Sequence, residues 1–520
     1  MRALRRMVLG TGSGVGKSLT VAGICRVASR MGLRVKPFKS QNMSNNSSAL
    51  PGGGEIARAQ VLQARAARVP PEAAMNPILL KPMGEGRSQV IFMGHPLGIY
   101  SISEYRELKK ELFPKVVRIF EDLAADCDLV ILEGAGSPAE INLLDEDIAN
   151  TRMARAVGAP ALLLGDIEQG GVFASLFGTI SLLPETERRV IRWLAINKFR
   201  GDSSLLEKGL SGITALTGIP FLGVMNHLGS LALPDEDSFR ARLIPESSGD
   251  GGPIKIAVLS WPHLSNRSDI DPFLGDRGVE VLLLPLTQAP PGPVDAILLP
   301  GTRRTMADLA HFYDSPLHPW FVRHCREGRA VAGICGGYQM MGREIIDPEG
   351  IESERSWMPG LGLLPLRVRF CKDKIARPVV ARIRVPPFPG GCDLVGGFLE
   401  GYEIRQGRQE IDQDAEPLME LFDPSGGSLG PEGARSGDGL CRFGVPVHGL
   451  FENNAVRQTF YRAVRPGGLP EGHLSDPAAL LEAEIERLAD EVAASLDLRS
   501  FLSREEAGSP ERENRSIHVP

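Results

Sequence analysis

Several features that mark special classes of protein are scarce in this sequence. Only 7 of its 520 residues are cysteine and no two of them form a C-x-x-C pair, which argues against a disulfide framework and against a zinc site. No uninterrupted apolar run is long enough to cross a bilayer. The net charge is −6 and no long basic run occurs, which argues against nucleic acid as a partner. We therefore expect a cytoplasmic protein with neither a membrane nor a nucleic-acid partner.

The composition is that of a large globular protein. Apolar residues make up 42% of the chain and charged residues 23%, which are ordinary proportions for soluble domains. A chain of 520 residues is long for one domain and favours two to four. The sequence passes directly from Met1 into an apolar run and a glycine-rich loop, so we expect no signal peptide.

The most informative motif surrounds Cys335. An apolar run at 330–332 leads into Gly-Ile-Cys-Gly-Gly-Tyr-Gln, the pattern of a strand that delivers a cysteine into a glycine-flanked turn ahead of a helix. His448 ends a second apolar stretch more than a hundred residues later, and it is a candidate base for the thiol. A lone cysteine in such a turn is usually only buried. The pairing of Cys335 with His448 instead indicates nucleophilic catalysis.

The remainder of this half has the pattern of a mainly parallel α/β sheet. Short, largely apolar stretches at 255–259, 279–284 and 295–299 predict buried strands that alternate with helical or polar stretches. The third run ends in a Pro-Gly-Thr turn. Backbone N–H groups of Gly301 in that turn and of Gly336 beside the cysteine could face an oxyanion.

These motifs resemble a known family. G-x-C-G-G-Y-Q, the upstream L-P-G-T and the downstream V-H-G-L-F-E-N are similar to triad-type (class I) glutamine amidotransferase domains, in the form found in corrinoid amidases. The resemblance implies a flavodoxin-like glutaminase with Cys335 and His448 at its centre. Most of that class carry glutamate two positions after the histidine, where this chain has Leu450. The third member of the triad therefore stays open.

The N-terminal half opens on a candidate phosphate site. Residues 10–18 read Gly-Thr-Gly-Ser-Gly-Val-Gly-Lys-Ser between an apolar run and a helical pattern. Such a loop offers backbone N–H groups and a helix dipole to phosphates, and its lysine and serine can serve phosphate and Mg²⁺. The spacing is one residue longer than in the usual P-loop and resembles the dethiobiotin synthetase type. The candidate nucleotide-binding residues of the loop are Gly10, Thr11, Gly14, Gly16, Lys17 and Ser18.

Polar residues at other strand ends extend this site. Glu133 follows an apolar run at 129–132, where a carboxylate could hold Mg²⁺ together with Ser18. Asn197 ends a later strand and could bind the nucleotide base or simply cap the strand. Four residues of 36–42 are candidates for contacts with phosphate or substrate, although lysines there could also be solvated surface groups: Lys36, Lys39, Gln41 and Asn42.

Turn-forming residues and changes in composition along the chain predict its domains. We expect two doubly wound, mainly parallel α/β domains: an ATP-binding amidoligase domain at 1–235 and a glutaminase domain at 254–470. A serine- and glycine-rich linker would span 236–253, and a helix would occupy 471–502. The tail at 503–520 has the composition of a disordered segment. The polar stretch at 406–439 is expected to be a long surface loop.

The resemblance extends over almost the whole chain. P-F-K-S-Q-N-M at 37–43, G-G-E-I-A-R-A-Q at 53–60 and E-G-A-G-S-P-A-E-I-N-L at 133–143 are similar to the cobyric acid synthase family of corrinoid amidases. That family implies ATP- and Mg²⁺-dependent, glutamine-hydrolysing amidation of the b, d, e and g carboxylates of adenosylcobyrinic acid a,c-diamide. The residues by themselves support only a nucleotide site joined to a cysteine–histidine glutaminase.

Three alternatives share part of this pattern. A cobyrinic acid a,c-diamide synthase would use the same chemistry on other carboxylates. A CTP synthase-like enzyme should carry glutamate where this chain has Leu450. A ParA/MinD-like scaffold ATPase should carry a lysine where this chain has Gly12, and it would release no glutamate from glutamine.

Overall fold

The structure is a computed structural model that describes residues 2–84, 86–229, 233, 252–290 and 292–504. The chain divides into two compact units. The first comprises Met1–Met43, Ala59–Leu233 and Ala483–Pro520, and the second comprises Ser44–Arg58 and Pro234–Glu482. The predicted linker at 236–253 and the predicted tail at 503–520 lie almost entirely outside the described residues.

Twelve strands, numbered in chain order, are described in the N-terminal half. They are β1 (Leu4–Gly10), β2 (Val35–Phe38), β3 (Gln41–Met43), β4 (Ser47–Ala49), β5 (Glu55–Ala57), β6 (Ile78–Gly84), β7 (Arg87–Phe92), β8 (His95–Ser101), β9 (Leu129–Glu133), β10 (Ala161–Asp166), β11 (Ile191–Phe199) and β12 (Phe221–Asn226). Six of these strands form the main sheet of the first unit, in the order β12-β11-β10-β1-β9-β2. All of its described pairings are parallel.

Helices cover this sheet. They are α1 (Lys17–Arg30), α2 (Arg58–Ala66), α3 (Ile102–Ala125), α4 (Thr151–Val157), α5 (Val172–Leu182), α6 (Glu185–Arg188) and α7 (Glu207–Thr217). Strands β9 and β10 are buried at every residue, as expected of parallel strands covered on both faces. The strand order reverses around β1, so the crevice beside its carboxyl end is where such a sheet binds ligands.

Twelve further strands are described in the C-terminal half. They are β13 (Ile254–Ser260), β14 (Val279–Pro285), β15 (Ala296–Leu299), β16 (Ala330–Ile334), β17 (Glu344–Ile346), β18 (Trp357–Pro359), β19 (Leu366–Ile383), β20 (Phe398–Ile411), β21 (Met419–Phe422), β22 (Ser428–Glu432), β23 (Ala434–Arg435) and β24 (Arg442–Val445). The main sheet has the order β14-β13-β15-β16-β24-β23, and its first five strands are parallel. This is the flavodoxin-like order. The expected pair of doubly wound α/β domains is therefore confirmed.

A second, largely antiparallel sheet of the second unit was not predicted. Its strands run β18-β17-β19-β21-β22, with β20 paired to β19 in a long hairpin. The prediction of a surface loop at 406–439 is wrong, because this stretch contributes to four strands. Leu418, Met419 and Leu421 are at most 2% exposed and belong to the hydrophobic core.

Seven α-helices are described in the C-terminal half. They are α8 (Asp271–Gly275), α9 (Thr305–Tyr313), α10 (Leu317–Arg326), α11 (Gly336–Met340), α12 (Asn454–Val464), α13 (Pro477–Ser495) and α14 (Leu498–Leu502). The expected C-terminal helix is present as α13. Within the described residues, no helix is both long and apolar enough to cross a membrane.

The end of the chain packs into the first unit, a location that the sequence did not predict. Arg26 on α1 donates to Glu486 at 2.6 Å. A Cβ at Gly23 would lie 2.6 Å from the side chain of Val492, so this glycine permits the close approach of α13. The Phe501 ring lies 5.2 Å from that of Trp193, edge to face.

Candidate functional site

Cys335 occupies a sharp turn between β16 and α11. Its φ of 51° and ψ of −109° lie outside the regions that non-glycine residues normally adopt. A Cβ at Gly333 would lie 2.6 Å from the sulfur of Met341, and a Cβ at Gly336 would lie 2.8 Å from the backbone nitrogen of Thr302. Only glycine fits at these positions, so the predicted strand–cysteine–helix turn is confirmed.

The turn after β15 lies directly beside the cysteine turn. Gly301 and Thr302 form it, and Thr302 contacts Gly336 closely because β15 and β16 are neighbours in the sheet. Asp308 anchors this turn, since its carboxylate accepts hydrogen bonds from the Thr302 hydroxyl and, at 2.7 Å, from the ring of His263. The two glycines predicted to form an oxyanion site thus lie on adjacent turns.

His448 reaches the same edge of the sheet from the other neighbouring strand. It follows β24, which pairs in parallel with β16. The Nδ1 atom of His448 lies 2.7 Å from an Asp269 carboxylate oxygen, and the other oxygen accepts a 2.9 Å hydrogen bond from Gly449 N–H. His448 and Asp269 are both almost completely buried. Asp269 therefore lies beside the imidazole where a third triad member would be, a position that the sequence did not assign.

The other side of the imidazole is also occupied. The Nε2 atom of His448 lies 3.0 Å from Asn266 Nδ2, which can donate to it. Tyr402 stacks on the imidazole with ring centroids 5.0 Å apart. The thiol of Cys335 is directed at the carbonyl oxygen of Ile404, 3.6 Å away. Among the described residues, no hydrogen bond joins this thiol to His448.

The charges around His448 favour its protonation. Burial of the ring opposes the imidazolium form, but the Asp269 carboxylate raises the pKa of His448 well above its usual value, and Tyr402 and Cys335 add to that effect. A carboxylate that raises the basicity of a histidine beside a cysteine is the arrangement that activates a thiol.

We expect Asp269→Asn to lower glutamine hydrolysis by about 10- to 100-fold, since it removes one charge-assisted hydrogen bond. Because Asp269 raises the pKa of His448, its loss lowers that pKa, and the acidic limb of the pH profile, where the base becomes protonated, should move to lower pH. Initial rates of glutamate release between pH 6 and 10 would measure both effects. The matched control is Asp314→Asn, the same substitution at an exposed position. A lower rate with an unshifted pH profile would contradict a role in positioning the imidazole.

In the first unit, the glycine-rich loop joins β1 to α1 as expected. Gly14 and Gly16 have φ values of 71° and 98°, in the left-handed region that favours glycine. Helix α1 begins at Lys17, whose ammonium donates to the carbonyl oxygens of Gly12 at 2.7 Å and Gly136 at 3.0 Å. The lysine is thereby folded back over the loop.

The start of this loop is held against the sheet. Gly10 is the last residue of β1, and a Cβ there would lie 3.0 Å from the side chain of Lys17. Thr11 donates its backbone N–H to Leu164 on β10 at 3.0 Å. Both residues therefore lie where the phosphate loop leaves the sheet.

Glu133 is the centre of a buried polar cluster beside the loop. One carboxylate oxygen accepts 2.7 Å hydrogen bonds from Ser18 Oγ and from Lys39 Nζ, and the other accepts from Gln63 at 2.6 Å and Gln60 at 3.5 Å. Burial would raise the pKa of Glu133, but the Lys39 ammonium and the hydrogen bonds from Gln63 and Ser18 hold it below its usual value. These contacts therefore favour the ionised carboxylate.

Asn197 lies under the phosphate loop. Its Nδ2 donates to the carbonyl oxygen of Val15 at 2.9 Å, and its Oδ1 accepts from the backbone N–H of Lys198. Lys198 has a φ of 63° and donates to Gly14 O at 2.8 Å and to Asp166 at 2.7 Å. In this structure the amide of Asn197 supports the loop.

The other candidates near β2 and β3 have different surroundings. Lys36 forms ion pairs with Glu72 at 2.8 Å and with Asp126 at 3.6 Å, so the structure does not bring it to Glu133. Gln41 is half-buried and accepts a 2.6 Å hydrogen bond from the hydroxyl of Tyr105. Of Lys36 and Lys39, only Lys39 contacts Glu133.

Asn42 is buried, with 3% of its surface exposed. Its side-chain nitrogen donates to Gln60 Oε1 at 3.0 Å, and Gln60 in turn contacts Glu133. In this structure the amide of Asn42, a candidate for contact with phosphate or substrate, supports the neighbours of Glu133.

Ser18 and Glu133 suit a magnesium ion in their chemistry. Their oxygen atoms are 2.7 Å apart, and Mg²⁺ is commonly held by one or two protein oxygens together with phosphates and water. In the described part of the chain there is no cluster of three or more histidine, cysteine, aspartate or glutamate side chains that could hold a metal. A site completed by nucleotide phosphates is consistent with both observations.

Sequence reasoning missed several residues of the two sites. Asp269 lies 179 residues before His448, so no local spacing connects the two. Asn266 and Asp269 lie in S-N-R-S-D, in the loop that follows β13. Because β13 neighbours β15, this position in the chain was the signal that could have identified them as residues of the site. Gln60 and Gln63 lie on α2 three residues apart, which places both on one face of the helix.

Two family models match the chain, one to each half. The model described as the CobQ/CobB/MinD/ParA nucleotide binding domain matches residues 6–236. The model described as the CobB/CobQ-like glutamine amidotransferase domain matches residues 255–456. These limits agree with the positions of the phosphate loop and of the cysteine turn.

Full-length relatives carry both halves in one chain. The cobyric acid synthase of Sorangium cellulosum is 45% identical, over 97% of this chain and 99% of that protein. The cobyric acid synthase of Desulforudis audaxviator is 44% identical, over 95% and 97% respectively. A protein of Thermococcus kodakarensis described as a probable cobyric acid synthase is 42% identical, over 96% and 98%.

Proposed function

Because the chain belongs to the cobyric acid synthase family and is a glutamine-dependent ligase of cobalamin biosynthesis, we propose that it amidates the b, d, e and g carboxylates of adenosylcobyrinic acid a,c-diamide. ATP and glutamine are the co-substrates. The observation that carries the proposal is that one chain holds both a phosphate loop beside the Glu133 cluster and a cysteine turn beside His448.

The glutaminase reaction begins at Cys335. The sulfur attacks the side-chain amide carbon of glutamine, while His448 accepts the thiol proton and then delivers a proton to the departing nitrogen. Backbone N–H groups of Gly301 and Gly336 stabilise the negative charge on the amide oxygen. Ammonia leaves, and water then hydrolyses the thioester to glutamate. Asp269 keeps the imidazole oriented and favours its protonated form.

The ligase reaction requires an activated carboxylate, because ammonia does not displace an oxide from a carboxylate anion. The substrate carboxylate attacks the γ-phosphorus of ATP, ADP leaves, and an acyl phosphate forms. Ammonia then attacks the acyl carbon and phosphate leaves. Lys17 and the loop N–H groups stabilise the phosphoryl oxygens, with Lys39 as a further candidate cation. Ser18 and Glu133 would hold Mg²⁺, which neutralises phosphate charge when bound.

Mass spectrometry of the product tests this function directly. With cobyrinic acid a,c-diamide, ATP, Mg²⁺ and glutamine, the substrate should lose about one mass unit four times, since each amidation replaces a hydroxyl by an amino group. Fragmentation should place the new amides at b, d, e and g. Cobyrinic acid itself is the control substrate. Conversion of cobyrinic acid only at the a and c positions would show a cobyrinic acid a,c-diamide synthase instead.

A further inference from the structure

A cavity in the second unit belongs to neither of the two sites described above. Its volume is about 490 Å³, within the range of small-molecule sites in proteins. It is lined by Tyr313 on α9, by five residues of α10 and by residues of the segments 360–363 and 440–442. Arg442 is the first residue of β24, and His448 follows the far end of the same strand. The cavity therefore borders the amino end of β24, with roughly 10 Å of strand between it and the histidine.

Hydrogen bonds hold the walls of this cavity in place. The hydroxyl of Tyr313 donates to the carbonyl oxygen of Gly360 at 2.9 Å. The backbone N–H of Leu361 donates at 2.8 Å to the carbonyl oxygen of the last residue of α11. The guanidinium of Arg442 donates to the carbonyl oxygen of Cys325 on α10. The cavity is therefore preformed, and a ligand that enters it would not have to order its walls.

Most of the lining is apolar. Tyr313 and Phe321 contribute aromatic rings, and Val322 and three leucines contribute aliphatic side chains. Burial raises the pKa of the Cys325 thiol to about 11, so this side chain is uncharged at neutral pH and adds apolar surface. A flat apolar molecule would leave water on entering the cavity and would contact both aromatic rings. The lining therefore favours a ligand with an apolar body.

The charged side chains of the lining are all positive. Among the described residues that form it are Arg326 and Arg442 and no aspartate or glutamate. Arg442 is ion-paired with Asp438 at 3.1 Å, whereas nothing in the described part of the chain accepts a hydrogen bond from the exposed guanidinium of Arg326. Within the same residues the ring nitrogens of His318 have no hydrogen-bond partner. Burial lowers the pKa of His318, so its neutral imidazole offers one donor and one acceptor. The lining therefore suits one negative charge on the ligand.

From these features we propose that the cavity binds an organic anion with a flat apolar body and one carboxylate, phosphate or sulfonate group. The body packs against Tyr313 and Phe321, the anionic group pairs with Arg326, and His318 donates a hydrogen bond to it. Glutamine does not suit the cavity, because its charged and amide groups would lose water among the leucines. The site is additional to the two sites of the proposed reaction, and no step of that reaction uses it.

The experiment uses anilinonaphthalene sulfonate, a flat apolar anion whose fluorescence rises in apolar surroundings. Its binding to the full-length protein is titrated with saturating ATP and Mg²⁺ present, so that the nucleotide site is occupied. The unmodified protein should show saturable binding. Arg326→Gln should raise the Kd of the anion about 3- to 5-fold, the size of one partly exposed ion pair. The Kd of phenylnaphthylamine, the neutral compound that lacks the sulfonate, should stay within about twofold.

Arg323→Gln is the matched control, because it removes the same charge from an exposed position of α10 that does not line the cavity. It should change neither Kd by more than about twofold. Val322→Trp places a larger side chain in the cavity and should weaken binding of both compounds by about 10-fold or more.

Absence of saturable binding to the unmodified protein would overturn the proposal. Equal effects of Arg326→Gln and Arg323→Gln would also overturn it, as would equal losses of the anion and the neutral compound in Arg326→Gln. Unchanged binding by a folded Val322→Trp protein would have the same meaning. If thermal unfolding shows that Val322→Trp is not folded, the exposed substitution Arg326→Gln decides alone.

Discussion

Cys335→Ser is expected to abolish glutamine-dependent amidation and to leave ammonia-dependent amidation within about twofold of the unmodified protein. Loss of the nucleophile in a triad-type site costs about three orders of magnitude or more in rate. The serine fits the same turn, because its side chain is no larger than that of cysteine and the neighbouring glycines are unchanged. Amide formation measured with glutamine and then with a high concentration of ammonium chloride would separate the two activities.

Cys392→Ser is the control for this experiment, since it makes the same change at an exposed cysteine. It should keep both activities. Failure of ammonium to rescue a folded Cys335→Ser protein would count against two separate sites in one chain.

Glu133→Gln is expected to lower amidation by about 100-fold or more with either nitrogen source. The amide has no charge with which to balance Lys39 and is a weaker candidate ligand for Mg²⁺, and such losses typically cost several kcal/mol in the transition state. Lys17→Ala should have a similar effect, because it removes a cation from the phosphoryl oxygens. Product formation against Mg²⁺ concentration is the measurement for both variants.

Protein stability must be measured together with this activity. Glu133 and Lys39 are 1% and 5% exposed, and breaking a buried ion pair from one side commonly costs about 3–5 kcal/mol of folding free energy. Glu185→Gln is the control, since it removes one carboxylate from an exposed ion pair with Arg189. A folded Glu133→Gln protein with normal synthesis and an unchanged Mg²⁺ requirement would show that Glu133 only caps its strand.

Those features that depend on local pattern were predicted from the sequence. Buried parallel strands have continuous apolar runs, so β13, β14, β15 and β16 were located to within two residues of their observed ends. The turn at Cys335 and the glycine-rich loop ahead of Lys17 were recognised because glycine is required at particular positions in each.

Features that depend on long-range pairing were not predicted. Strand β19 alternates buried and exposed residues only towards its two ends, because residues 371–377 in its middle are mostly polar and none of them is buried, and polar residues also interrupt β20, so the hairpin was not recognised. Asp269 becomes a partner of His448 only in the folded sheet, where the loop after β13 and the segment after β24 meet at the same edge although they are 179 residues apart in sequence. Lys36 and Lys39 could not be told apart from the sequence. In the structure Lys36 lies within β2 and pairs with Glu72, whereas Lys39 follows the strand and pairs with Glu133.

The return of the chain's last helices to the first unit has a consequence for how the protein is made. Val492 and Phe501 complete the packing around Gly23 and Trp193, so the nucleotide-binding half still lacks part of its core when residue 235 has been translated. A ribosome must finish the glutaminase half before that core can close. The nascent first half therefore exposes this apolar surface until α13 and α14 have been translated, and a fragment that ends at residue 235 would lack the helices that cover it.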